Sequence, residues 1–564
     1  MDYATFVEVY DRLSSTSKKI EKIGILAEFL KRLQKEESSE WIYLLRGKVT
    51  PDYDSRELGI STQLTLKAMS ASFGVSQEKI IADFNEAGDI GEIAERYSQK
   101  RRQRALFMKK LDVKKVFDNL KMIISIEGKG AVDRKISLIS ELLTSAAPKE
   151  AKYIVRTLLS DLRVGVADAL LIDAIAEAFF VNEDDAKQVL EEKYHLANDF
   201  SLLFDAARKG MLALGEIDLV PGRPVSVMLA VKADTLEEAF RICGTPAAAE
   251  YKYDGFRMLI NKRGEDITLF TRRLENVTSQ FPDVVSAARK YISAKEYVLD
   301  AEVVGYDLKT KKYLPFEAIS QRIKRKYDID KLAKTLPVEI NIFDVLYHDG
   351  KNTLDTPYLE RRKIVEKIVK TQALVIRPAV QKIVEDEEEA EVFYQSALDE
   401  GEEGIMMKKL DAPYRQGRKV GYMVKIKPTI ADLDLVIVGA EYGTGKRGGW
   451  LTSYIVACKD GEEFLEIGKV SSGLKEKKEN DGQETTYEEM TKLLRPLIIS
   501  EKDNQIRVRP EIVIAVTYQN IQESPSYSSE YALRFPRITR YRPDKKPDEI
   551  ATLSEIKKEV KKQR

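Results

Sequence analysis

Cysteine and histidine are nearly absent from this chain, each occurring twice in 564 residues. Cys243 and Cys458 lie far apart, which rules out a four-cysteine zinc cluster and argues against a disulfide framework. His195 and His348 leave little material for a histidine-based catalytic relay, and both read as surface or structural residues. A run of about twenty apolar residues is also lacking, and residues 1–10 are acidic and amphipathic, without the basic n-region and apolar h-region of a leader. The expectation is a monomer in the cytoplasm with no membrane span. Charge of one sign is missing too: Lys+Arg and Asp+Glu are both 92, so no global charge advertises a nucleic-acid partner. Charge as such is abundant. At 33% of residues it exceeds the usual quarter or so, an enrichment that suits a heat-adapted protein. The length allows about three or four domains.

From residue 1 to 215 apolar residues recur at helical spacing, as in Phe6, Val9, Tyr10 and Leu13 and in Ile154, Leu158 and Leu162. The pattern predicts an all-helical block over 1–220. Pro221-Gly222-Arg223-Pro224 reads as a linker, because two prolines and a glycine disfavour a continuing helix. Residues 225–429 mix strands at 297–304 and 338–345 with helices such as 358–369, an α+β pattern. Short strands at 433–438, 454–457 and 512–517, separated by longer connections, predict a small β-barrel over 431–564. Gly443-Thr444-Gly445-Lys446-Arg447-Gly448-Gly449 mimics a phosphate loop. Ala440 stands where its first glycine belongs and Arg447 where Ser or Thr would meet magnesium, so a strand connection is expected. The acidic run 385–389 reads as a helix start, where negative charge favours the dipole.

Chemistry concentrates in Glu250-Tyr251-Lys252-Tyr253-Asp254-Gly255-Phe256-Arg257. A free lysine amine, with a pKa of about 10.4, is a poor nucleophile at neutral pH until desolvation and nearby cations lower that value. Arg257 could be one such cation. The octet reads equally well as a strand, 247–253, ending in an Asp-Gly hairpin turn with both basic side chains solvated. Further clusters follow in order. Arg272 and Arg273 offer planar donor pairs suited to phosphate or sugar oxygens. Glu302 in a strand and Glu403 in Gly401-Glu402-Glu403-Gly404 are carboxylates that could meet magnesium, although either could be a plain surface residue. Phe343 could present a flat face to a base or sit in the core. Lys425 and Lys427 flank Ile426 and so share one side of a strand, where two ammoniums would stabilise phosphoryl charge and help depress the Lys252 pKa, or form a polar face.

Taken together, these motifs resemble the ATP-dependent DNA ligases of the archaeal and eukaryotic replicative type, over nearly the whole chain. The resemblance implies an all-α DNA-binding domain (1–220), an α+β nucleotidyltransferase (adenylation) domain (225–429) and a C-terminal OB-fold β-barrel (431–564). It implies Lys252 as the residue that becomes adenylylated, Glu250 as reader of the adenine amino group, and Arg257 and Arg272 as nucleotide holders. By the same resemblance Glu302 contacts ribose or metal, Phe343 stacks on adenine, Glu403 serves the metal, and Lys425 and Lys427 grip the α-phosphate. Relatives carry a basic ligand six residues before the first of these lysines; here Lys419 has that spacing with Arg418 adjacent, and the choice between them stays open. Ala532-Leu533-Arg534-Phe535-Pro536-Arg537-Ile538-Thr539-Arg540 is similar to the family's last motif, which orients the pyrophosphate; Arg534, Arg537 and Lys545 are its candidates. Leu162-Arg163-Val164-Gly165 resembles part of the DNA-binding domain.

The implied substrates are ATP, with Mg2+, and nicked duplex DNA. Another lysine nucleotidyltransferase, an RNA ligase or a capping guanylyltransferase, would not need the long helical block. NAD-dependent relatives carry a four-cysteine zinc module that two cysteines cannot supply. A non-catalytic DNA-binding scaffold is the rival from another class. Gln103-Arg104-Ala105-Leu106-Phe107 resembles a shortened sliding-clamp-binding peptide through Gln103, Leu106 and Phe107, set in a basic run that equally suits a DNA-facing loop.

Overall fold

Helical spacing in the first third of the chain becomes helices that share one core. A computed structural model describes the chain except residues 55, 101–109, 324, 326, 419–421, 429–431, 444–446, 448, 477–484, 503 and 563–564. Helix Tyr3–Ser14 turns Phe6, Tyr10 and Leu13 inward, and Lys19–Leu33 answers with Leu26, Phe29, Leu30 and Leu33, since rows at i, i+3, i+4 and i+7 fall on one side of a helix. Phe6 and Phe29 meet edge-on with ring centroids 4.7 Å apart. Ser61, Ser76, Asp89, Asp112 and Asp199 accept backbone N–H groups at helix starts, satisfying donors that the helices leave open. The core runs from Tyr3 to Ile217.

The chain folds as two compact units, Met1–Lys427 and Pro428–Arg564. Within the first, the proline-rich stretch 221–224 is tied on both sides. Asn198 Nδ2 donates to Pro224 O at 3.2 Å, and Gly222 N donates to Asn261 Oδ1 at 3.3 Å.

Two sheets follow. The five-stranded sheet runs Gln381–Val384, Ala247–Tyr251, Ile405–Lys409, Met423–Ile426, Val231–Lys232. The six-stranded sheet has Asp266–Thr271, Phe256–Arg263, Tyr297–Gly305, Val338–His348 and Lys351–Asn352 in order, with Ile376–Pro378 parallel to Val338–His348. The octet's two strands therefore belong to different sheets: Ala247–Tyr251 pairs with Ile405–Lys409, and Phe256–Arg263 with Tyr297–Gly305. Asp254-Gly255 is a crossing and the hairpin alternative is overturned. Gly255 is required there because a Cβ would stand 2.5 Å from Val303 O.

In the second unit, strand Leu433–Tyr442 pairs through its first half with Val513–Thr517 and through its second with Gln505–Val508. It also pairs with Leu451–Asp460, with register shifts beside Gly439 and Tyr442. The expected connection at 443–449 falls between strands Leu433–Tyr442 and Leu451–Asp460, but its residues 444–446 and 448 lie outside the described residues. Helix Glu387–Asp399 begins with three glutamates behind the Asp386 cap, as predicted.

Candidate active site

Lys252 follows strand Ala247–Tyr251 directly, and its backbone is clamped to the turn that carries Glu403. Lys252 N donates to Gly404 O and Glu403 N donates to Lys252 O, both at 2.9 Å. Gly404, at φ +137°, presses against Ile426 O where a side chain would clash. The Nζ atoms of Lys252 and Lys427 both pair with Glu403 Oε2. Burial pushes the Glu403 carboxyl up, but the two ammoniums outweigh it and bring it down to about 2. Lys425 and Lys427 sit below the ordinary ammonium range, first through burial and then through the positive charge of Lys252. Arg272, exposed after its strand, adds to this pressure on Lys425. These residues thus make a cationic corner around a single carboxylate.

The six-stranded sheet supplies the facing row. Arg257 lies in register with Glu302, and Glu302 with Asn341. Arg257 makes a fork with Asp300, Nε to Oδ1 at 2.8 Å and a terminal nitrogen to Oδ2 at 2.5 Å, and donates to Met228 O at 2.6 Å. Tyr414 OH donates to Asp300 Oδ2 at 2.7 Å. Four of the five Arg257 N–H groups are thus used within the protein, the fourth on Tyr414 OH at 3.2 Å. Among the described residues Glu302 has no such fork: burial first, then Asp300 and Glu403, push its carboxyl up to about 8 against the pull of Lys252 and Arg257.

Deeper in, Glu250 is buried at the end of its strand, in register with Gln381 on one side and Met406 on the other. Its Oε1 accepts from Tyr358 OH and from Gln381 Nε2 at 3.1 Å, and Lys408 Nζ lies 2.5 Å from Oε2. Phe343, partly exposed, has Lys408 Nζ 4.6 Å and Arg257 Cζ 5.2 Å from its ring centroid. A carboxylate beside a flat aromatic suits a planar base with an amino group.

Lys252, Glu250, Arg257, Glu302, Phe343, Glu403, Lys425 and Lys427 are thus brought together, with Arg272 near them. Arg418 is placed only by its backbone, opposite Leu229. Lys419, Gln103, Leu106 and Phe107 lie outside the described residues. Arg534 belongs to the second unit, where its guanidinium lies 5.0 Å from the Phe535 ring centroid. Lys545 pairs with Asp434 at 2.6 Å. Sequence reasoning missed Asp300, Lys408, Tyr358 and Tyr414. A charge inside an otherwise apolar strand, as in Tyr297–Gly305 and Ile405–Lys409, was the available signal for the first two.

Residues 227–427 match the family described as ATP dependent DNA ligase domain, residues 2–176 the DNA ligase N terminus, and residues 447–545 the ATP dependent DNA ligase C terminal region. A DNA ligase of Nanoarchaeum equitans is 45% identical, covering 100% of this chain and 99% of that protein. The chain belongs to the ATP-dependent DNA ligases. A second relative, the DNA ligase of Thermococcus fumicolans, is 40% identical over 99% of this ligase and 98% of its own length. A solved structure named Pmar-Lig_PreS3 shares the fold at a TM-score of 0.57 and 16% identity, covering 95% of this chain and 99% of that one. The ligase therefore has N-terminal, adenylation and C-terminal OB-like regions and uses ATP, and its family seals nicks through an adenylate intermediate. Among the described residues no helix is long and apolar enough to cross a membrane.

Proposed function

We propose that Lys252 is the residue that carries AMP. The observation that carries this reading is the meeting of Lys252, Lys427 and Glu403 at the junction of the two sheets, with Glu302 and Phe343 opposite. Deprotonated to its amine, Lys252 Nζ attacks the α-phosphorus of ATP as the bond to the β-phosphate oxygen breaks; pyrophosphate leaves with that electron pair, and the nitrogen of the new P–N bond gives up a proton to solvent. A 5′-phosphate oxygen at the nick then attacks the same phosphorus; the P–N bond breaks and its electrons return to Nζ, which takes up a proton. Last, the 3′-hydroxyl attacks the activated 5′-phosphorus, losing its proton, and AMP departs. Each transfer needs alignment and charge neutralisation more than an acid-base pair. Lys425 and Lys427 hold the α-phosphate oxygens, with Arg272 beside them and Arg418 or Lys419 as a further ligand. Glu250 accepts from the adenine amino group, and Phe343 stacks on the ring. Arg257 positions Phe343 while anchored on Asp300.

Glu302 and Glu403 fit magnesium. A carboxyl that burial and like charge keep from ionising is stabilised as carboxylate by a hard cation. Among the described residues no cluster of three such ligands exists, which accords with an ion held by one or two carboxylates and substrate phosphates. Bound there, the ion would neutralise charge on the phosphoryl oxygens.

The regions 1–220, 225–429 and 431–564 act as DNA-binding domain, adenylation domain and OB-fold barrel. The partner exchange of strand Leu433–Tyr442 supports the barrel. Arg534, with Arg537 and Lys545, orients the pyrophosphate. Nicked duplex DNA is the substrate of a monomer working in the cytoplasm, and the basic run that carries Gln103, Leu106 and Phe107, outside the described residues, meets either DNA or a sliding clamp. Incubation with α-labelled ATP and magnesium tests the core of this reading: a covalent adduct is expected on the native chain and none on Lys252→Ala. An adduct surviving in the variant overturns it.

A further inference from the structure

Lys408 is a buried ammonium with an unusual set of neighbours. Its side chain is 4% exposed, and Nζ lies 2.5 Å from Glu250 Oε2. On its other sides it meets aromatic faces, with Nζ 4.6 Å from the Phe343 ring centroid and 4.7 Å from that of Tyr358. No oxygen of the described structure takes a well-directed hydrogen bond from Nζ. Strand alternation explains the placement: Lys408 stands two residues beyond Met406, which pairs with Glu250, so both basic and acidic side chains share one face of the sheet. A lysine in the buried strand Ile405–Lys409 needs a reason, because burying an ammonium is expensive unless it is paired.

The other oxygen of Glu250 is also fixed. Oε1 accepts from Tyr358 OH and from Gln381 Nε2. A second cation, Arg362, comes no closer than 3.6 Å to Oε1 and gives its directed bonds to Glu366 at 2.8 Å and to Ala379 O at 2.8 Å. Lys408 is therefore the cation in direct contact with the base-reading carboxylate.

We propose that Lys408 is a specificity-determining residue of the nucleotide site: its ammonium, in contact with Glu250 Oε2, holds the Glu250 carboxylate as a hydrogen-bond acceptor, so that the site selects a purine with a 6-amino group over one with a 6-oxo group. This rests on the reading of Glu250 and Phe343 as the base pocket. An ionised carboxylate can only accept, so it matches an exocyclic amine and repels a carbonyl oxygen. Remove the ammonium, and the buried carboxylate keeps only the neutral donors Tyr358 and Gln381 and an Arg362 no closer than 3.6 Å, a setting that favours uptake of a proton. Glu250 then gains an O–H that can donate to a 6-oxo group, and the discrimination collapses. The ring contacts add a second effect, since the same ammonium fixes the Phe343 face against which the base lies.

The test compares α-labelled ATP with α-labelled ITP, which differs from it at the 6-position and the adjacent ring nitrogen, as donors to Lys252 on the full chain with magnesium. In Lys408→Met the ratio of KM values for the two nucleotides is expected to shift toward ITP by about tenfold or more, the scale of one mismatched buried hydrogen-bonding group. Lys408→Arg, which keeps the charge, is expected to hold the native ratio. Lys408→Gln, polar but neutral, is expected to relax it and decides the matter if the methionine variant does not fold. A neutral variant that melts as a folded protein, yet loses ATP and ITP labelling equally, overturns the proposal and leaves Lys408 a packing residue. If the native chain takes no label from ATP, the reading of the pocket itself falls, and this proposal falls with it.

Discussion

At the residue scale the site is made by close approaches that only small or paired groups allow. Gly255 lets the crossing between the sheets pass over strand Tyr297–Gly305, with Val303 O 2.5 Å and Glu302 Cγ 3.0 Å from where a Cβ would stand. Backbone cannot yield there as a flexible side chain would. Gly255→Ala is expected to lower stability by about 1–3 kcal/mol, as overpacking does. It should cut adduct formation on Lys252 by about a hundredfold, because displacements near 1 Å misalign reacting atoms. Thermal melting and labelling with ATP check the two effects; native labelling in the alanine variant would show that the approach is slack.

At the scale of elements, helix Ile90–Gln99 in the helical block is fastened through its cap. Asp89 accepts from Gly91 N at 2.8 Å and Glu92 N at 3.2 Å, pairs with buried Arg156 at 2.6 Å, and holds Arg163 at 2.9 Å. Burial pushes the Asp89 carboxyl up, but Arg156 and the cap bonds outweigh it, so it lies below the ordinary carboxylate range. A depressed carboxyl contributes stability above its unfolded value, about 3.9, and loses it as pH falls through the lower folded value. Asp89→Ala should destabilise the fold by about 3–5 kcal/mol near neutral pH, since buried Arg156 keeps only half-exposed Glu92, 4.0 Å away. That deficit should shrink as pH drops below 4 or so, which urea titrations at several pH values measure. The helices were legible because periodicity is local. The hairpin alternative failed for the converse reason: Asp-Gly is a strong short-range turn signal, yet the strands on either side find partners at Ile405–Lys409 and Tyr297–Gly305, far along the chain. Lys252, Glu302, Phe343 and Lys425 announced themselves by residue type and order. Asp300 and Tyr414, which accept from Arg257, could not, because nothing within 100 residues of Asp300 hints that Tyr414 will meet it.

At the scale of the whole molecule, charge balance and core division carry the expectations. The second unit has a core of its own, built around Leu435, Ile437, Tyr454, Val456, Met490 and Ile514. The first unit holds the helical core and the sheet cores. Calorimetry of the full chain should therefore show more than one transition, and residues 428–564 alone should retain one of them, as independent cores require. A single transition with equal calorimetric and van't Hoff enthalpies would contradict this. The reciprocal backbone bonds between Lys252 and the Glu403–Gly404 turn have a dynamic consequence. Lys252 and Glu403 ride on one doubly bonded backbone link, so thermal wandering of either strand carries both along together. Their separation stays constant while their surroundings loosen, like two instruments bolted to the same bench in a shaking room.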